Sequence, residues 1–425
     1  MNEFVDALVG KKVLVFGVGR QGGGAGDAQF LQNHGAIVRL SDRDTTLCPE
    51  GQTEKQIDWA ELIIKNPGVP DDSSLLARAR SQGKSVLTSI AVFVKYASVP
   101  VIGITGTRGK STTTALITHL LNHCFPGQIL TGGNIPGKSG LSLFDSQGGK
   151  KYAVLELSSF QLHNFHELKV SPRIAVITNL YPDHLNRYPD MASYQHDKEA
   201  ICRYQTLDNY CLYNADNPGS ISISASSLAT KLAYSARWVA DWTTQLPGTH
   251  NRENISATWA LGQILKLDED VVRQAVASFV GLPFRQEIVR EVNGVTYIND
   301  TTATTPTATL KAIEAQTQPT ILICGGASKN LPTHTLVDSI AQTDKIASVI
   351  LLGSAGIPEF TSSLKKAAGD KILGQVNSMS AAVALAVKHA RPRSRVLLSP
   401  GFASFDLFQN EFDRGRQFND AVSEL

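Results

Sequence analysis

Short apolar runs alternate with longer amphipathic stretches from one end of this chain to the other, and that rhythm limits the possible folds more than any single motif. It argues an α/β fold with largely parallel sheets. At 425 residues the chain is too long for one ordinary core, so two or three domains are expected. Three blocks emerge. The first, 1–97, opens with Lys12-Val13-Leu14-Val15-Phe16, continues through Ile37 to Leu40 and Leu62 to Ile64, and closes near Val86-Leu87 and Tyr96-Ala97. The second, 98–281, holds Tyr152 to Glu156, Ile174 to Thr178 and Tyr210 to Tyr213, then helical stretches from Arg252 to Leu265 and Glu269 to Phe279. Gly281-Leu282-Pro283 supplies a break. The third, 282–425, carries strand-like runs at Val295 to Ile298, Thr320 to Cys324, Ser348 to Leu352 and Val396 to Ser399.

Composition narrows the class. Apolar content of 42% and charged content of 18% are those of a folded protein. A net charge of +2 gives no broad pull toward nucleic acid. No stretch approaches ~20 apolar residues, so no membrane span is expected. The N-terminus lacks a basic segment followed by an apolar one, so no secretion signal is read there. The five cysteines form no CxxC pair, which favours reduced thiols in a cytoplasmic protein over disulfides or a zinc site.

The strongest chemical signal is Gly103-Ile104-Thr105-Gly106-Thr107-Arg108-Gly109-Lys110-Ser111-Thr112, between an apolar run and a helix predicted from Thr113 to Leu121. Strand, glycine-rich turn and helix form a cradle for phosphate. Backbone N–H groups and the positive helix end face the anion, Lys110 adds charge, and the hydroxyl of Ser111 or Thr112 can ligate Mg²⁺. The strict pattern wants glycine where Ile104 stands, so the loop is a variant. It predicts a nucleoside triphosphate site.

Other strand ends carry chemistry too. Gly17-Val18-Gly19-Arg20-Gln21-Gly22 fits GxGxxG, with Asp42 at the end of the next strand placed for a ribose hydroxyl. The same turn can simply let a helix pack closely on a strand. Gly23, Gly24 and Gly26 are poor helix formers, so a shortened or loose first helix is expected. Glu156 ends a strongly apolar strand near the phosphate loop, as a Mg²⁺ ligand or a cap of the next helix. His184, beside Asp183, ends another strand, as a structural residue or a functional one. Lys198 reads on physical grounds alone as a solvated helix lysine. Asp300 ends a further strand, to bind ribose or cap a helix starting near Thr307. Gly325-Gly326-Ala327-Ser328-Lys329 and Ser399-Pro400-Gly401-Phe402-Ala403-Ser404-Phe405-Asp406 repeat the strand-then-loop form, suited to a carboxylate-bearing substrate or to plain turns.

Together these motifs resemble the Mur ligase family. The resemblance rests on Thr105 to Ser111, Glu156-Leu157-Ser158-Ser159-Phe160-Gln161-Leu162, Asn179 to His184, His250-Asn251-Arg252-Glu253-Asn254, Gly281 to Arg285, Ile298-Asn299-Asp300 and Leu398 to Asp406, in the family's order over nearly the whole chain. It implies three domains: a Rossmann-like N-terminal domain for a UDP-sugar, a central P-loop-type ATPase domain and a C-terminal Rossmann-like α/β domain for an amino acid. By that resemblance Gly17 and Gly19 hold the UDP moiety rather than NAD, with Asp42 and Arg43 near the uracil and Asn134 near the substrate. Gly106, Thr107, Arg108, Gly109, Lys110, Ser111 and Thr112 engage ATP. Lys110, Glu156, His184 and Lys198 form the catalytic group, and Ser111, Glu156, His184 and Lys198 serve Mg²⁺. Carbamylation of Lys198 would make a carboxylate-like ligand of it. Asn251 and Asn254 approach adenine, and Arg285 and Asp300 the phosphate and ribose. Lys329, Ser404 and Phe405 meet the amino acid. The implied substrates are UDP-N-acetylmuramoyl-L-alanine and D-glutamate, and the implied enzyme is a cytoplasmic monomer.

Departures concentrate in the third block. Many family members carry a lysine where Thr302 stands, an acid at Ala327 and a histidine at Phe284, and Asn134 is followed by Ile135-Pro136-Gly137 rather than Ile-Gly. Related ligases using another amino acid, such as L-glutamate or a folate polyglutamate chain, and a non-catalytic nucleotide-binding protein are the alternatives.

Overall fold

The computed structural model describes all residues except 1, 20–21, 136–137, 185–186, 247, 249, 354–356 and 406. Arg20 and Gln21 of the GxGxxG turn, Pro136-Gly137 after Asn134, and Asp406 therefore lie outside the described residues. The chain forms two compact units, Met1–Phe279 and Val280–Leu425.

The first unit carries two sheets. Strands β1 (Lys12–Phe16), β2 (Ile37–Ser41), β3 (Leu62–Lys65) and β4 (Ser85–Leu87) make a parallel sheet of order β2-β1-β3-β4. Strands β5 (Val101–Thr105), β6 (Ile129–Gly133), β7 (Tyr152–Glu156), β8 (Ile174–Ile177), β9 (Tyr210–Asn214) and β10 (Thr230–Tyr234) form a second, in order β10-β9-β8-β5-β7-β6, also parallel. Every residue of β3, β5 and β8 is buried, which is why their sequences are continuous apolar runs. One apolar cluster runs from Phe4, Leu31 and Ile64 of the first block to Leu155 and Phe165 of the second. Phe144 anchors it, with ring centroids 5.1 Å from Phe93, 5.9 Å from Phe30 and 6.0 Å from Phe4.

In both sheets the strand order changes direction beside the first strand, so β1 and β3, and then β5, β7 and β8, place their carboxyl ends at a switch point. Open α/β sheets take ligands in that crevice.

The second unit has one sheet, β11 (Glu287–Val292), β12 (Val295–Asn299), β13 (Thr320–Cys324), β14 (Ile346–Leu352), β15 (Ile372–Val376) and β16 (Arg395–Leu398), in order β11-β12-β16-β13-β14-β15. Only β11 runs antiparallel, joined to β12 through Asn293 and Gly294 at φ 51° and 75°. An Asn-Gly pair in that conformation is the favoured tight hairpin turn.

The sequence pattern missed β6, β10, β11 and β15, all edge strands; their half-exposed or polar residues lack the apolar signal. The expected loose start of the first helix is also corrected. The helix runs Gly23–Asn33 directly from a left-handed Gly22, and its glycines serve close packing. A Cβ on Gly24 would lie 2.6 Å from the Val18 carbonyl, and one on Gly26 2.8 Å from Ser139 Cβ. Four of the five free cysteines are buried and Cys124 is partly exposed. Among the described residues no helix is long and apolar enough to cross a membrane.

Candidate active site

The turn after β5 is shaped by what adjacent strands bring to it. Gly106 (φ 151°) has no room for a side chain, since a Cβ there would sit 1.9 Å from Thr178 Oγ1 after β8. Gly109 (φ 79°) starts the helix Lys110–Cys124, and a Cβ there would meet Asn254 Oδ1 at 2.5 Å. The Asn179 side chain clasps the loop on both sides, accepting from Arg108 N at 2.8 Å and donating to the Arg108 carbonyl at 3.2 Å. Thr107 Oγ1 accepts from Tyr181 N at 3.0 Å. Asn254 accepts from Thr113 Oγ1 at 3.0 Å and donates to Asn251 Oδ1 at 2.9 Å, so both asparagines brace the phosphate loop from the helix His250–Ile264. Ser111 and Thr112 occupy the first helical turn.

Two lysines converge on this turn. Lys110 Nζ donates to the carbonyls of Gly106 and Thr107, at 3.0 and 3.1 Å. Lys198 Nζ donates to the same Gly106 carbonyl at 3.0 Å. Lys198 is 1% exposed, which overturns the solvated-lysine reading. Burial, and then repulsion from Lys110, push its pKa well below the ordinary lysine value, against the opposing pull of Asp183 and Asp197.

Glu156 is buried at the end of β7 and accepts from Asn134 Nδ2 at 2.9 Å. It does not cap the following helix: Ser158 does, in a reciprocal box with Gln161. His184 adopts a left-handed backbone (φ 56°), with its ring against Phe160 and Tyr194. Burial lowers its pKa, Asp183 opposes the shift, and Lys198 and Lys110 reinforce it, so the imidazole is neutral near pH 7. Among the described residues no group of three or more His, Cys, Asp or Glu could hold a metal alone. A cation here therefore needs oxygens beyond Glu156, from Ser111 or Thr112 hydroxyls, a phosphate or a modified lysine. Those are the hard donors Mg²⁺ takes.

A cavity of about 640 Å³ joins this cluster to the first sheet. Gly17, Gly19 and Gly24 line one end, and Lys110, Asn134 and His184 the other. A smaller cavity of about 250 Å³ shares Gly17 and Gly19 and adds Asp42 and Arg43. Asp42 accepts from Gly19 N and Asp44 N at 2.9 Å each. Burial raises its pKa, but backbone donors from Asp44, Gly19 and Val18 outweigh that and leave it depressed. Its carboxylate thus closes the glycine turn. Sequence reasoning missed Asn66 and Gly68, which line both cavities, and Phe160 on the larger one. Asn66 directly follows β3, so the strand-end rule that found Glu156 would have found it.

The remaining candidates belong to the second unit. Asp300 is buried after β12, accepting from Gln286 N at 3.2 Å and Ser399 Oγ at 2.9 Å. Burial pushes its pKa up to about 7, against the Ser399 and Gln286 bonds and the nearby Arg285 charge. Its capping role is excluded, because Thr305 caps the helix Pro306–Glu314. Arg285 is exposed. Lys329 Nζ donates to Thr304 Oγ1 at 2.8 Å. The loops of Lys329 and Ser404 are joined by an antiparallel bridge between Ala327 and Ala403. Ser404 Oγ is buried without a hydrogen-bond partner among the described residues, and Phe405 projects into solvent, 72% exposed.

A lysine-bearing phosphate cradle opening into one cavity with a second glycine turn defines an α/β nucleotide-handling enzyme. The comparisons with known proteins narrow that class. A family model described as the Mur ligase middle domain matches residues 104–263, and one described as the Mur ligase glutamate ligase domain matches residues 284–402. The UDP-N-acetylmuramoylalanine–D-glutamate ligase of Roseiflexus sp. (strain RS-1) is 34% identical over 98% of this chain and 99% of its own. That of Christiangramia forsetii is 32% identical over 98% of this chain and all of its own. Among solved structures, UDP-N-acetylmuramate-alanine ligase MurC from Thermotoga maritima superposes with a TM-score of 0.61 at 19% identity, covering 97% of this chain and 99% of that one. The chain belongs to the Mur ligase family.

Proposed function

We propose that this protein joins D-glutamate to UDP-N-acetylmuramoyl-L-alanine at the expense of ATP, in the synthesis of peptidoglycan precursors. The observation that carries the reading is the cavity of about 640 Å³ lined both by the Gly17 turn and by Lys110 and His184, which would bring a nucleotide-sugar held at the first turn to the phosphate loop. The D-glutamate ligases, matched along their whole length, support the choice of substrates.

The chemistry suits these residues. A carboxylate is a poor acyl donor because its oxygen leaves badly. Its oxygen attacks the γ-phosphorus of ATP, ADP departs, and an acyl phosphate forms. The amine of glutamate then attacks the acyl carbon, and the tetrahedral species expels phosphate as the nitrogen loses a proton. Lys110 neutralises the crowded oxygens, while the braced turn holds backbone donors in place before the reaction begins. Ser111, Glu156 and neutral His184 are suited to hold Mg²⁺, which when bound supplies further positive charge at those oxygens. The buried Lys198 amine loses its proton readily. The neutral amine can add carbon dioxide with release of a proton, giving a carbamate that is a better metal ligand. We assign Arg285 and Asp300 to the phosphate and ribose of ATP, and Lys329, Ser404 and Phe405 to glutamate. The three blocks 1–97, 98–281 and 282–425 then serve nucleotide-sugar, ATP and amino acid. We assign the reaction to the cytoplasm, where ATP is at hand, and read the enzyme as a monomer.

Phosphate release should require both the nucleotide-sugar and D-glutamate, with a product mass equal to the amide. Release needing neither, or product formed only with another amino acid, overturns the reading. The intact mass of Lys198-containing peptide in bicarbonate tests the carbamate.

A further inference from the structure

Arg285 stands on an unusual turn. The residues on either side of it, Phe284 and Gln286, both have left-handed backbones, at φ 64° and 47°. A bulky aromatic residue rarely adopts that conformation and needs its surroundings to hold it there. Three groups do so. The Asp300 carboxylate accepts from Gln286 N on one side of Arg285. Thr302 donates to the Phe284 carbonyl on the other, from Oγ1 at 3.0 Å and from N at 3.3 Å. The Glu287 carboxylate accepts from Phe284 N at 2.8 Å. The Phe284 ring then fills space left open by Gly415, where a Cβ would approach it to 2.6 Å. Phe284 and Thr302 meet here.

We propose that Thr302 is a positioning residue for Arg285, clamping the strained Phe284–Gln286 turn so that the guanidinium is presented to the phosphates of ATP. A threonine hydroxyl reaches the Phe284 carbonyl with one rotatable bond and loses little entropy in doing so. The packed Phe284 ring and the short Thr302 hydroxyl together fix the turn. That Arg285 meets ATP rests on the proposed function; the clamp itself does not.

The test uses the full chain. Hydrogen exchange at residues 284–287 without nucleotide should quicken in Thr302→Val, which keeps the shape and loses the hydroxyl, and stay near wild type in Thr302→Ser. Thr302→Val should raise the KM for ATP about three- to tenfold, as expected for one lost hydrogen bond, with the KM for nucleotide-sugar unchanged. Adding Thr302→Val to Arg285→Ala should cost nothing further, because the clamp acts only through Arg285. Unchanged exchange in Thr302→Val refutes the clamp even if the protein uses no ATP. Faster exchange with fully additive KM effects refutes the link to Arg285.

Discussion

The two glycine-rich turns of the first unit begin alike and end differently. Each follows a buried parallel strand, starts a helix from a left-handed glycine (Gly22 or Gly109), and opens into the same cavity. Around the second turn the neighbouring strands and helices bring Thr178, Asn179 and Asn254, and two lysines lean on its carbonyls. The described residues of the first turn meet no cation in this way; instead Asp42 holds its Gly19 amide and the buried Asp27 ties its helix to Ser139 and Leu141. The backbone pattern is thus a generic cradle. On the proposed function, the residues delivered by adjacent elements decide whether it handles reacting phosphates or only holds a ligand in place.

The largest effect that would break this contrast is loss of Lys110. Lys110→Ala should lower phosphate release by about 10²–10³-fold while leaving nucleotide-sugar binding intact by calorimetry. An equal loss in Asp42→Asn would erase the distinction between the turns.

Asp27 gives the next effect, one of stability. Burial raises its pKa from 3.8 to about 6, against hydrogen bonds from Ser139 and Leu141. Because the folded state holds the proton more tightly, the group favours folding most below pH 3.8, and that contribution is lost as pH rises through 6. At 1.36 kcal/mol per pH unit the displacement is worth about 3 kcal/mol. Urea unfolding should therefore show wild type losing up to that much relative to Asp27→Asn between pH 4 and 7. A pH-independent difference would mean that Asp27 ionises freely.

Gly24→Ala should cost about 1–3 kcal/mol through overpacking against the Val18 backbone, read as a lower urea midpoint. It sharpens the comparison if the KM for nucleotide-sugar rises and that for ATP does not. Asp42→Asn should have the smallest effect, a KM for nucleotide-sugar raised about three- to tenfold by weakening one bond to the turn. A matching change in the KM for ATP would show that the turns act as one.

Central strands and both glycine turns were legible, because strand ends in a parallel sheet combine an apolar run with a polar stop. The edge strands β6, β10, β11 and β15 were not, since their glycines and polar or half-exposed residues leave no continuous apolar run, whereas the edge strands β2 and β4 were read. Lys198 was the clearest misreading from residues alone. Nothing in Gln195-His196-Asp197-Lys198-Glu199 marks one position as buried, and only the packing of its helix against the Gly106 carbonyl does so.

The sequence by itself determined the alternating fold, the phosphate cradle and the order of the motifs, since these depend on local periodicity and on residues adjacent in the chain. Tertiary structure alone decided which groups are buried, which carboxylates hold backbone N–H groups, and that both glycine turns share one cavity. Those properties depend on burial and on distances between residues far apart in sequence, which no local pattern encodes.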